Sequence, residues 1–334
     1  MKSEEIKAFL LHLGHNMWCE WLPEELMNEK SIGNPKHVPD WKLACDEALC
    51  RKTTDMLIAR GMNMVLVDVG EALIYPSHPE LAIPGSWSPE KMRNEMRRLK
   101  ARGLEPIPKL NFSCTHDGWL KDYHRMVSTP DYYKVVDDVI GDAIEVFDHP
   151  RFIHLGFDEE RVEWQRDNNY FVSRQGELWW HDFLYTCTCA EKRGVRAWVW
   201  SDMGPHKPEY VQRCPKSVLQ TPWYYDAYNA KLSMDQKVNP HWWKLQNMLD
   251  LDKHGFDQIP CGTNWIGHKR RSMGVNGDDV MGLVVKFARE HLGPEHLKGF
   301  LMAPWTSIKD DESNAKNISG IELFAEALKI GAKR

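Results

Sequence analysis

Short β-rich runs alternate with amphipathic stretches from one end of the chain to the other. Apolar and β-branched residues cluster at 8–16, 62–69, 104–110, 151–157, 195–201, 217–222, 258–264 and 298–304, which reads as eight strands. Helix-period patterns follow at 43–60, 89–102, 131–147, 176–193, 205–213, 239–254, 278–291 and 314–330. Eight strand–helix units filling the chain predict a single (β/α)8 barrel over residues 1–334, with a doubly wound sheet as the competing arrangement. The connections separate the two. Gly61, Gly103, Pro150, Gly194 and Gly255 stand as stops just before strands, so helix-to-strand turns are short. The strand-to-helix connections 17–42, 70–88, 111–130, 158–175, 223–238 and 265–277 are long. In a closed barrel those loops build the functional face.

Period two assigns the faces of each strand. In the fourth, Ile153, Leu155 and Phe157 form the apolar set expected against the helices, leaving His154, Gly156 and Asp158 pointing into the barrel with Glu159 at its rim. In the fifth, Val195, Ala197 and Val199 face out, and Trp198, Trp200 and Asp202 face in. Asp68 ends the second strand; His116 and Asp117 follow the third.

Composition narrows the chemistry. Of 334 residues, 42% are hydrophobic and 27% charged, which excludes disorder and coiled coil. A net charge of -5 offers no basic surplus for nucleic acid or anionic lipid, and no apolar run is long enough to span a membrane. The N-terminal stretch reads as a first strand, not a signal peptide. Eight scattered cysteines show neither zinc nor disulfide spacing, so we expect reduced thiols and a cytoplasmic protein.

The 15 tryptophans are an unusual number, and Trp18, Trp200, Trp223, Trp265 and Trp305 fall at or just past strand ends. Indole faces stack on the C–H faces of pyranose rings, while Asp, Asn and His catch hydroxyls. The same aromatics would also serve to cap a barrel core. The pair Asp158-Glu159 is the sharpest feature. Two neighbouring carboxyls at one strand end cannot easily flank a glycosidic bond as an ordinary glycosidase requires. They can instead divide the work, one orienting a nucleophile carried by the substrate and the other protonating the leaving oxygen.

His154-Leu155-Gly156-Phe157-Asp158-Glu159 resembles the H-x-G-G-D-E motif of family 20 glycoside hydrolases, the β-N-acetylhexosaminidases. The resemblance implies that Asp158 orients a 2-acetamido group and that Glu159 is the general acid/base, with no cofactor. It implies substrate contacts from His116, from Trp200 and Asp202 (W-x-D), from Tyr224 and Asp226 (Y-x-D), and from Trp305 as a wall of the acetamido pocket. We add Asp117, Trp223, Asn264 and Trp265 from their places at strand ends. There are departures. Phe157 stands for the second glycine, His15 and Asn16 stand where the family has an arginine, and Trp305-Thr306-Ser307 lacks the carboxylate of Trp-x-Glu. The small α/β domain that usually precedes the barrel is also missing, so the resemblance is to a divergent, barrel-only member.

Other chemistries compete with this one. A glycosidase acting on a sugar without the acetamido group would pair Glu159 with Asp202, Asp68 or Glu71, and a barrel that only binds sugar would need neither. His12 and His15 lie three apart, which on one strand puts them on opposite faces and argues against a metal site. Lys269-Arg270-Arg271 and the cluster Arg93, Arg97, Arg98 and Lys100 read as solvated surface. Gly274–Gly277 is not a phosphate loop. The sequons at Asn111 and Asn317 are chance-level triplets.

Overall fold

The computed structural model describes residues 4–21, 37–166, 168–169, 172–226, 235–265 and 280–331. The basic triplet at 269–271 and the glycine-containing segment 274–277 lie outside them. Eight parallel strands form one sheet: β1 (Ile6–His12), β2 (Met64–Asp68), β3 (Glu105–Lys109), β4 (Phe152–His154), β5 (Arg196–Trp200), β6 (Leu219–Thr221), β7 (Cys261–Gly262) and β8 (Gly299–Met302). The order β6-β5-β4-β3-β2-β1-β8-β7 leaves β6 and β7 at the two ends. Those ends meet through the parallel bridges Gln220–Gln258 and Trp223–Cys261, which close the barrel.

Between the strands lie α1 (Glu47–Ala59), α2 (Pro89–Ala101), α3 (Pro130–Val146), α4 (Gly176–Glu191), α5 (Tyr210–Arg213), α6 (Trp242–Lys253), α7 (Val280–His291) and α8 (Asp311–Ala327). Side-chain caps set several helix starts. Ser88 accepts from Lys91 N, Thr129 from Tyr132 N and Asp310 from Ser313 N, the first two followed by a proline suited to the first turn. The Asp310 cap explains why α8 starts three residues earlier than its apolar periodicity indicates.

The period-two reading matches the two layers of core. Ala8, Leu10, Met64, Leu66, Ile107, Trp198, Leu219 and Leu301 fill the barrel interior. Ile153, Leu155, Phe157, Ala197 and Val199 pack outward against the helices. All eight strands end sooner than their apolar runs, β1 and β4 by the most. β1 stops at His12, after which Leu13 N still donates to Asp68 O (3.2 Å). β4 stops at His154, because the backbone at Gly156, Phe157 and Glu159 turns left-handed, with φ of 78°, 70° and 56°.

Above the apolar interior sits a charged layer. Lys109 is 0% exposed, and its Nζ donates to Asp68 Oδ2 at 2.7 Å. The ring of His12 approaches the same oxygen at 2.9 Å. Burial alone would raise the Asp68 carboxyl, but Lys109 and His12 outweigh it and hold it well below the carboxylate range. His154 is kept neutral, lowered by burial and then by Lys109. Removing one partner of such a pair strands the other charge. Asp68→Asn is therefore expected to cost about 3–5 kcal/mol of unfolding free energy, read from denaturant curves.

Candidate active site

Two loops at the mouth of the barrel are tied together, the one after β3 and the one after β4. Asn111 Nδ2 donates to Asp158 Oδ1 (2.9 Å), and its Oδ1 accepts from Ser113 N (3.0 Å). The hydroxyls of Ser113 and Thr115 both donate to the Asp158 carbonyl. Glu160 Oε1 accepts from Cys114 N (2.9 Å) and from the Arg174 guanidinium, which also donates to Phe112 O (2.7 Å). Gly156 makes this crossing possible. A Cβ there would lie 1.9 Å from Asn111 Oδ1, on a backbone with φ of 78°. Phe157 adopts a similar conformation without glycine's freedom; its ring is buried at 5.1 Å from Phe183, with the Arg174 guanidinium over its face. The side chain thus points away from the mouth, as its place in the strand predicts.

The loop after β3 delivers His116 between the two carboxyls. Its Nδ1 is 3.6 Å from Asp158 Oδ1, and its Nε2 is 3.5 Å from Glu159 Oε2. Burial lowers the imidazole, with Asp158 opposing, so at neutral pH the ring is uncharged and carries one N–H. Glu159 keeps 27% of its side chain exposed, against 8% for Asp158. Behind them, Asp202 Oδ2 accepts from Glu159 N (2.9 Å). Burial, then the neighbouring Asp158, pushes Asp202 up to about 7.

Aromatic rings surround these groups. Trp305 lies 5.5 Å from Trp200, 6.0 Å from Trp18, 5.5 Å from His12 and 6.5 Å from Tyr225, centroid to centroid. Trp223 stacks on Tyr225 at 4.7 Å, and Trp18 meets His116 edge-on at 6.2 Å. Acidic, amide and imidazole groups framed by indoles suit a ring with apolar C–H faces and hydroxyl edges.

Several expected residues sit elsewhere. Tyr224 packs into the outer layer, where its hydroxyl donates to Asp226 O (3.1 Å) and accepts from Asn239 Nδ2 (3.0 Å). Tyr225 holds the inward place, as alternation from Trp223 requires. Asp226 is fully buried and bound by Lys244 Nζ at 2.7 Å. Asn264 turns to α8, donating to Lys316 O (2.8 Å). Trp265 is exposed and joins no ring contact among the described residues. Asp117 is buried, 3.8 Å from His124, and burial pushes its carboxyl well above the carboxylate range.

The carboxylates considered as partners for Glu159 are also engaged. Asp68 belongs to the charged layer, and Glu71 accepts the amides of His15 (2.7 Å) and Asn16 (2.9 Å). The rings of His12 and His15 come within 6.0 Å, because alternation ceases where β1 ends. Among the described residues no three His, Cys, Asp or Glu side chains group to hold a metal. All eight cysteines carry free thiols. Both sequon asparagines are buried, Asn111 at 1% and Asn317 at 0% exposure. Asn111 was legible only as part of a sequon; its role as the support of Asp158 appears once the two loops meet.

Two outcomes are expected. Gly156→Ala should displace Asn111 and lower stability by about 1–3 kcal/mol, measured by denaturant unfolding. Asp202 has a folded-state pKa above its unfolded value near 4, so the folded state binds the extra proton between the two. Its contribution is full below pH ~4 and is lost as pH rises through about 7. Asp202→Asn should therefore flatten the decline in stability between pH 5 and 8, and an unchanged slope would assign the decline to other groups.

No protein-family model and no curated protein matches the sequence. The structure is similar to a β-N-acetylhexosaminidase from Bacteroides fragilis, with a TM-score of 0.63 and 14% identity over 97% of this chain and 65% of that one. It is also similar to a family 20 exo-β-N-acetylglucosaminidase from Vibrio harveyi in complex with N-acetylglucosamine, with a TM-score of 0.62 and 12% identity over 97% of this chain and 54% of that one. Dispersin B gives a TM-score of 0.54 and 13% identity over 85% of this chain and 95% of that one. The chain spans about two thirds or less of the length of the first two. In fold, then, it is a barrel of the kind found in family 20 glycoside hydrolases.

Proposed function

We propose that the chain is a glycoside hydrolase that releases terminal β-linked N-acetylhexosamine with retention of configuration. The observation that carries this is the presentation of Asp158 and Glu159 side by side at the end of β4, bridged by His116 and framed by Trp18, Trp200 and Trp305. The similarity to solved β-N-acetylhexosaminidases supports it.

The sugar ring lies over Trp305 and against Trp200. Asp158, its Oδ1 fixed by Asn111, takes the acetamido N–H and leaves the acetamido oxygen beneath C1. In this reading Tyr225, whose inward place supports the choice, takes the acetamido side that the motif would have given to Tyr224. Glu159, the more exposed carboxyl, protonates the glycosidic oxygen as the acetamido oxygen attacks C1, giving an oxazolinium ion. It then takes a proton from the water that opens that ion. His116 Nε2 faces Glu159 as it changes charge. The reaction needs no cofactor.

The direct test is turnover of p-nitrophenyl N-acetyl-β-glucosaminide and -galactosaminide. Glu159→Gln is expected to lose roughly 10²–10⁴-fold on substrates with basic leaving groups and less on aryl glycosides, where acid help matters less. Equal losses on both count against the acid role. Asp158→Asn should selectively damage hydrolysis of N-acetylated substrates. A parent enzyme that cleaves unacetylated glycosides equally well rules out substrate assistance.

A further inference from the structure

Two of the scattered cysteines meet at the start of α1. The helix opens on Asp46, whose carboxylate accepts from Leu49 N at 2.9 Å. In a start of this kind, the residue before the cap packs against the fourth helical residue across the first turn. Here both are cysteine. Cys45 stands before the cap, and Cys50, whose N donates to Asp46 O (2.9 Å), is the fourth residue of α1. Their thiols are in hydrogen-bond contact. Ordinarily such a staple is a plain hydrophobic contact; with two sulfurs it is also a dithiol.

The pair can be reached from outside. Cys45 is only partly buried, whereas all seven other cysteines are buried. Cys50, though 4% exposed, lines a cavity of about 510 Å³ between α1 and α2, with Arg51, Trp87, Lys91 and Arg98. Cys187 and Cys189 lie two apart on α4 and so cannot face each other.

We propose that Cys45 and Cys50 form a reversible oxidation site, closed by a low-molecular-weight disulfide of the glutathione class into a covalent staple on α1. The inference does not depend on the function proposed above.

The contact with Cys45, and then burial, push the Cys50 thiol well above its usual value, which makes Cys45 the first nucleophile. The Cys45 thiolate attacks one sulfur of the external disulfide, forming a mixed disulfide and releasing one thiolate. Cys50 then gives up its proton, attacks the Cys45 sulfur and expels the second thiolate. The two protons lost by the cysteines end on the two departing thiols. The protein is oxidised by two electrons, and the external disulfide is reduced by the same two.

The staple bears on more than α1. Cys45 pairs with Ile308 in a parallel bridge, and Asp46 N donates to Ile308 O at 2.9 Å. Closure therefore fixes the point where the connection from β1, which carries Trp18, docks on the loop that carries Trp305.

The test incubates the whole chain with oxidised glutathione and maps its disulfides by mass spectrometry. The expected product is a Cys45–Cys50 disulfide, reversed by dithiothreitol, with a thermal midpoint about 2–4 °C above the reduced form. Cys50→Ala should stop at a stable glutathione adduct on Cys45, and Cys45→Ser should take up no glutathione at Cys50. Residues 45 and 50 that stay reduced, alone or while other cysteines react, overturn the proposal. So does a glutathione adduct on Cys45 that Cys50 never displaces. A disulfide that leaves the midpoint unchanged overturns the staple.

Discussion

The mouth of this barrel depends on a left-handed turn held in place by the neighbouring loop. Beyond β4 the backbone takes positive φ at Gly156, Phe157 and Glu159, and only the first can do so without strain. Each of the other two costs of order 1–3 kcal/mol. The offset comes from the surroundings: the Phe157 ring buried against Phe183, the Asn111 amide on Asp158, two hydroxyls on the Asp158 carbonyl, and the Glu160–Arg174 pair below. Buried hydrogen bonds contribute about 1 kcal/mol each and a buried phenyl about 1.5–3, so the turn is sustained as a whole and by no single contact.

The electrostatics beneath the site follow from the same closure. A barrel interior excludes water, so charges there survive only in pairs. Lys109 and Asp68 are such a pair, with His12 beside them, while His116 and His154 are driven neutral. Asp202 shows the opposite response, rising to about 7 because burial and Asp158 both disfavour its ionised form. The mouth thus holds a neutral imidazole, His116, and a proton-holding carboxyl, Asp202, beside the partly exposed Glu159, a mixture of acids and bases suited to proton transfer near neutral pH.

Regular structure was legible in the sequence because its periodicity is local. The eight strands, their inward and outward sets, and the placement of Asp158, Trp200 and Trp305 at the mouth all follow from alternation and from the stops between units. Legibility ended where the regular backbone ends. His12 and His15 meet because β1 stops at His12, and Tyr225 replaces Tyr224 because alternation runs on from Trp223 and a motif match does not count faces. Asn111 showed only as part of a sequon, and Glu160 and Arg174 gave no local signal. Their work is done across 47, 46 and 62 residues of chain, in the contacts Asn111–Asp158, Cys114–Glu160 and Phe112–Arg174.

The cross-tie has a consequence for how such a barrel can be altered. Loops of a (β/α)8 barrel are commonly regarded as independent attachments, each exchangeable without regard to the next. Here the segments after β3 and β4 share backbone acceptors, a buried guanidinium and one interlocked Gly156–Asn111 contact, so the shape of each depends on the other. They form a single structural unit. Recombination or design that transplants one without the other would carry over the motif and leave behind the geometry that gives it meaning.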